Sequence, residues 1–273
     1  MQIKLLGPFV AQEQETSFAP SAAKPRQILA LLALQANQVV TVPTLMEEIW
    51  GDHPPRSAST TLQTYILQLR RKLGTAFHAE QSSTAKEILV TRYGGYLLDV
   101  QPGEVDSSEF ERLLALGRTA LAAHDDLSAS KLLGQALALW RGPALVDIQV
   151  GRVLEIEVLQ LEEARLGALE SRISADLRLG RHAVLLSELT MLSAQRPMHE
   201  GLHAQLILAQ YRSGRSWQAL ETYQRLRNTL VGELGIEPSA RLQRLHAAVL
   251  AADTRLDLAG AELSMELDHQ VVG

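Results

Sequence analysis

Ser57–Gly74 reads SASTTLQTYILQLRRKLG, and the reading of this stretch decides the fold. Leu62, Tyr65, Ile66, Leu69 and Leu73 recur at i, i+3, i+4, i+7 and i+11, which lines them along one helix face. At 100° per residue, Thr60, Thr64, Gln68 and Arg71 fall on the opposite side. Leu67 sits between them, and Arg70 and Lys72 flank them. From His53 to Ala79 there is no acidic residue, in a chain of net charge −5. An apolar inner face, polar side chains outside and cations toward one end suit a helix that lies in the major groove of DNA. A solvated amphipathic helix has the same composition, so the flanking sequence must decide between the two.

Upstream, Ile3–Leu6 and Phe9–Ala11 are short apolar runs broken by Gly7-Pro8, and they read as two strands with a turn. A third short strand is expected near Thr16–Phe18. SAAKPRQILALLALQANQ then reads as a helix capped by Ser21, with Pro25 in its first turn and Asn37 as its stop. Val39-Val40-Thr41 is β-rich and short. Thr44–Trp50 is a second helix ended by Gly51, and Pro54-Pro55 separate it from the basic helix. Beyond a polar segment, Ala79–Lys86, two β-rich runs (Ile88–Arg92 and Tyr96–Val100) flank the turn signal Gly94-Gly95. Strands, three helices and a hairpin are the order of a winged helix-turn-helix with the hairpin as wing.

Composition limits the alternatives. With 273 residues the chain has room for two domains, and without cysteine it has no disulfide, thiolate nucleophile or cysteine zinc site. No apolar run approaches the roughly 20 residues of a membrane span, and the start MQIKLLGPFVAQ lacks a signal-peptide pattern. A cytoplasmic protein with no membrane partner is therefore expected. Residues 1–100 hold nine Lys and Arg against eight Asp and Glu, whereas residues 101–273 hold 17 against 23. A near-neutral half with one basic face is compatible with DNA, and the acidic half suits another partner.

That second half reads as all-helical. Phe110–Ala123, Leu127–Trp140 and Val153–Leu177 are apolar at helical spacing. LGRHAVLLSEL from Leu179 and SGRSWQALETY from Ser213 lie 34 residues apart, the period of a tetratricopeptide helix pair. Arg196-Pro197 ends one helix, Glu200–Tyr211 supplies another, and Pro238 precedes a last one at Ala240–Ala252. His199-Glu200-Gly201-Leu202-His203 matches HExxH, in which two histidines bind zinc and Glu200 acts as general base. Gly201 inside the motif, Leu206 where an HxxGxxH extension needs glycine, and the lack of any supporting motif around Glu221, the nearest later carboxylate, speak against it. GxSxG, GxxxxGK[ST] and GxGxxG are all missing, so no cofactor is called for. Two alternatives stay open here: a tetratricopeptide-type interaction scaffold, and a zinc hydrolase.

KPRQILALLALQANQVVTVPTLMEEIWGDHPPRSASTTLQTYILQLRRKLG and the wing GGYLLDV resemble the OmpR-type winged-helix domain. HAQLILAQYRSGRSWQALETYQRLRNTLVGELGIEPSARLQRLH looks like a bacterial transcriptional activation domain. Together they resemble a small member of the Streptomyces antibiotic regulatory proteins (SARPs), with neither a receiver domain before nor an ATPase module behind. The resemblance implies an α+β winged helix-turn-helix over residues 1–100, an all-α tetratricopeptide-like domain over 101–253, and a tail at 254–273. It implies an activator of an antibiotic gene cluster that binds direct repeats in double-stranded promoter DNA near the −35 region. It also implies recruitment of RNA polymerase holoenzyme and cooperation of two protomers on DNA. Under it, Glu200 and His203 fill ordinary helical positions, and His199 is a surface variation.

The outer face supplies the residues. Thr60, Gln63, Thr64, Leu67 and Gln68 are the expected base contacts, with Leu67 suited to a thymine methyl. Arg56, Arg70, Arg71, Lys72 and the wing residue Arg92 are the expected phosphate contacts, joined by Lys24 and Arg26 at the start of the first helix. Trp50, Tyr65 and Tyr96 are expected to pack the core. A fragment ending near Gly103 is expected to bind DNA by itself.

Overall fold

The computed structural model describes residues 1–77 and 83–257. The first part runs β1 (Gln2–Lys4), β2 (Val10–Glu13), β3 (Thr16–Ser17), α1 (Ala23–Leu34), β4 (Val40–Thr41), α2 (Val42–Trp50), α3 (Ala58–Ala76), α4 (Ser83–Ile88), β5 (Leu89–Arg92) and β6 (Gly95–Leu98). Helices follow: α5 (Asp106–Ala122), α6 (Asp126–Ala138), α7 (Arg152–Arg178), α8 (His182–Gln195), α9 (Glu200–Arg212), α10 (Ser216–Leu234) and α11 (Ala240–Leu250). A 3-10 turn, η1 (Thr254–Asp257), comes last. This is the α+β winged helix-turn-helix followed by a tetratricopeptide-like all-α region.

Two antiparallel sheets frame the winged helix, in the orders β1-β2-β3 and β4-β6-β5. The first hairpin is shorter than the apolar runs suggest, and carboxylates are the reason. The N–H groups of Leu5 and Leu6 donate to Asp106 at 2.6 and 3.2 Å, and that of Phe9 donates to Asp147 at 2.7 Å. Those donors are satisfied off the sheet, so strand pairing stops at Lys4 and resumes at Val10. Ser21 does not cap α1; Ala22 is the cap residue and contributes no side-chain bond. The wing turn also sits one residue earlier than Gly94-Gly95. Arg92 pairs with Gly95, which leaves Tyr93-Gly94 as the loop. Gly95 is a strand residue facing Thr41, and a Cβ there would lie 2.2 Å from the Val40 carbonyl oxygen. Of the polar segment Ala79–Lys86, residues 79–82 lie outside the described ones, and the rest begins α4.

The chain forms two compact units that do not follow chain order. One joins Met1–Leu114 to Gln135–Leu166; the other joins Ala115–Gly134 to the chain from Gly167. In the first, Leu29, Leu45, Leu62, Ile66, Leu69 and Leu98 share one core with Val105, Leu145 and Leu154. Glu48 on α2 reinforces this join. Only 2% exposed, it accepts from Gln27 Nε2 (2.6 Å), Gly151 N (2.7 Å) and Leu154 N (2.9 Å), and so caps the start of α7.

In the second unit one turn recurs. His124, Gly180, Gly214 and Ala252 all have positive φ. After each, the next N–H donates five residues back: Asp125 to Ala120, Arg181 to Asp176, Arg215 to Gln210 and Asp253 to Ala248. This is the six-to-one closure of a helix C-terminus, and it ends α5, α7, α9 and α11 alike. The sequence repeat showed two of these turns. The other two carry His and Ala in place of glycine.

Candidate nucleic-acid interface

The geometry of the interface begins with the burial of α3. Leu62, Ile66, Leu69 and Leu73 are each within 2% of full burial, and each such side chain contributes about 1.5–3 kcal/mol relative to exposure. That fixes the helix rotation. Tyr65 is half-buried and stacks on Trp50 at 6.5 Å between ring centroids, and Tyr96 is buried, so these aromatics are core as expected.

The opposite face is open. Thr60, Gln63, Thr64, Leu67, Gln68, Arg71 and Lys72 are all exposed, as are Arg56 just before α3 and Arg92 at the end of β5. Thr64 Oγ1 donates to the Thr60 carbonyl at 3.0 Å. Its hydrogen is committed to the helix, so its lone pairs face outward as acceptors. Such a group suits the amino groups of adenine or cytosine in the major groove.

Three of the expected phosphate residues are engaged elsewhere. Arg70 donates through Nε and Nη2 to the Leu89 carbonyl, at 3.0 and 2.7 Å, and through Nη2 to Thr91 Oγ1 at 2.8 Å. It clamps the wing strand to α3, and burial lowers its pKa. Arg26 is ion-paired with Asp147 and lies over the Phe9 ring. Lys24 lies 5.1 Å from the centre of the Trp50 ring. The expected phosphate residues that are exposed are therefore Arg56, Arg71, Lys72 and Arg92. Tyr93, fully exposed at the wing tip, was passed over in the sequence; its place before Gly94 in the hairpin was the signal. A tyrosine hydroxyl is a common donor to phosphate.

The HExxH residues have structural work instead. His199 is the N-cap of α9, and its Nδ1 accepts from Leu202 N at 3.3 Å. This corrects its reading as a surface variation. The Glu200 carboxylate accepts from Ser239 N at 3.0 Å and from Ser239 Oγ, at the start of α11. His203 is buried, its Nδ1 3.1 Å from the His199 carbonyl oxygen, and burial lowers its pKa. Glu221 pairs with Arg225 at 3.2 Å.

Comparison with known proteins agrees with this anatomy. Residues 19–98 match the family "Transcriptional regulatory protein, C terminal", and residues 105–250 match "Bacterial transcriptional activator domain". The chain is 56% identical over 263 residues to the regulatory protein DnrI of Streptomyces peucetius, covering 96% of this chain and 97% of that one. It is 38% identical over 261 residues to the transcriptional regulator RedD of Streptomyces coelicolor, covering 96% and 73%. A solved structure of Mycobacterium tuberculosis EmbR in complex with a low-affinity phosphopeptide superposes with a TM-score of 0.85 at 30% identity, covering 100% of this chain and 72% of that one. A winged helix joined to an activator domain defines a DNA-binding transcriptional regulator. The chain belongs to the SARP family of transcriptional activators. Its relatives are regulators rather than enzymes, and among the described residues no helix is long and apolar enough to cross a membrane.

Proposed function

We propose that this protein activates an antibiotic biosynthetic gene cluster by binding direct repeats near the −35 region and recruiting RNA polymerase holoenzyme. The observation that carries the proposal is the face of α3. One acid-free surface presents Thr60, Gln63, Thr64, Leu67 and Gln68 with Arg71 and Lys72, while the opposite stripe is buried. Polar groups read base edges, and the cations with Arg56 and Arg92 hold phosphates. Four phosphate contacts per protomer correspond to a salt slope of about −3.6. Direct repeats set two protomers head to tail, and contacts from residues 101–253 hold them there and meet the polymerase. The test is footprinting on the promoters beside its gene, followed by transcription with purified holoenzyme. Protection of repeated half-sites with protein-dependent transcripts supports the proposal. Equal affinity for promoter and unrelated duplex would leave a helical scaffold instead.

A further inference from the structure

The second compact unit holds an open cavity of about 650 Å³. Its walls come from α5, α7, α9 and α11, with Ser239 at the start of the last. These are the helices that end in the recurring turn, so the cavity is lined by the first helix of each of the three pairs and by α11. The volume lies within the roughly 300–1,000 Å³ of small-molecule sites.

The lining has an unexpected charge. Residues 101–273 are net negative by six, yet the cavity carries four arginines against two glutamates. Two arginines have partners of their own. Arg178 pairs with Asp126 at 3.1 Å, and Arg212 donates to the Leu177 and Leu256 carbonyls. Arg118 and Arg241 are exposed and form no ion pair among the described residues. Glu200 is turned to Ser239, and Glu170 Oε1 lies 3.7 Å from His199 Nδ1. The remaining wall is apolar or small: Leu121, Leu208, Leu245, Ala204 and Gly167.

Two such guanidinium groups beside a leucine wall match a molecule with an anionic head and an apolar body. We propose that this cavity binds a small amphipathic anion, a carboxylate, sulfonate or phosphate on a hydrocarbon or aromatic frame. Arg118 and Arg241 take the head, and the leucines take the body. Because the walls come from one helix of each of the three pairs and from α11, the ligand stabilises the unit as a whole. This inference does not depend on how the protein reads DNA.

The probe is anilinonaphthalene sulfonate, followed by fluorescence with the full-length chain. One saturable site is expected, displaced by decanoate but not by decanol or decyltrimethylammonium. Arg118→Gln with Arg241→Gln is expected to weaken binding at least tenfold while circular dichroism and melting stay unchanged. Ala204→Phe, which fills the cavity, is expected to abolish it. Non-saturable fluorescence, equal displacement by decanol, or unchanged binding in the arginine double variant overturns the proposal. So does stronger displacement by an acidic peptide than by decanoate, which would make the cavity a peptide groove.

Discussion

Replacing Glu48 with alanine removes the acceptor that serves Gln27 Nε2, Gly151 N and Leu154 N together. Each buried donor left unpaired costs about 1–3 kcal/mol. Some of that is recovered where the first turn of α7 admits water, so the loss is about 3–6 kcal/mol. Domains of this kind are stable by only about 5–15 kcal/mol in total. For a unit of this size, the melting temperature should fall by about 10–15 °C. The neighbouring Glu47 is exposed, and Glu47→Ala should stay within about 0.5 kcal/mol. Gly151→Ala attacks the same joint from the other side, since a Cβ there would lie 2.0 Å from the Glu48 carbonyl oxygen. It should destabilise comparably. The assay is thermal unfolding of the full-length chain by circular dichroism, with promoter binding measured below the transition. If Glu48→Ala melts with the Glu47→Ala control, the claim that this carboxylate joins α2 to α7 is wrong.

The fragment ending near Gly103 lacks Asp106, Asp147, Gly151 and Leu154, and it should not fold well enough to footprint; a cooperative melt would refute that. Arg71→Ala should lower the salt slope of promoter binding by about one, and Gln68→Ala should reduce discrimination between operator and mismatched duplex by about 1–3 kcal/mol. Arg70→Ala, which frees the wing, should weaken binding yet leave the salt slope unchanged; a drop like that of Arg71→Ala would return it to the phosphate contacts. His199→Ala should cost about 1 kcal/mol as a lost helix cap without altering the metal content of the purified protein. Burial lowers the pKa of His203 from its ordinary 6.5, so below that pH the unfolded chain binds more protons than the folded one. Stability held above about pH 6.5 should therefore fall as pH drops through that range, and less so in His203→Asn; identical profiles for the two proteins would exclude the effect.

What was legible in the sequence was whatever depends on neighbours in the chain. The stripe from Leu62 to Leu73 shows because a helix repeats every 3.6 residues, and its burial fixes which residues face outward. Helices α5, α6, α7, α9 and α11 were read to within four residues of their ends for the same reason, whereas α8 and α10 showed only as the repeat that opens them. What was hidden depends on partners far along the chain. Glu48 in VPTLMEEIW looks like any surface glutamate, and its partner Gly151 is 103 residues away. Arg70 has the composition of a phosphate contact, and only the position of Leu89 turns it into a clamp. Asp106 and Asp147 shorten the first hairpin from outside it. The turns at His124 and Ala252 escaped because they lack the glycine that marks Gly180 and Gly214.

Selection of binding sites from a random duplex pool tests the central claim most directly. The full-length chain should enrich a motif repeated in the same orientation about one helical turn apart. With Gln68→Ala, preference should relax at one position of each repeat while the remaining positions hold. A pool without an enriched motif, or a motif unchanged when Thr64 and Gln68 are both replaced by alanine, would contradict reading of DNA by the outer face of α3.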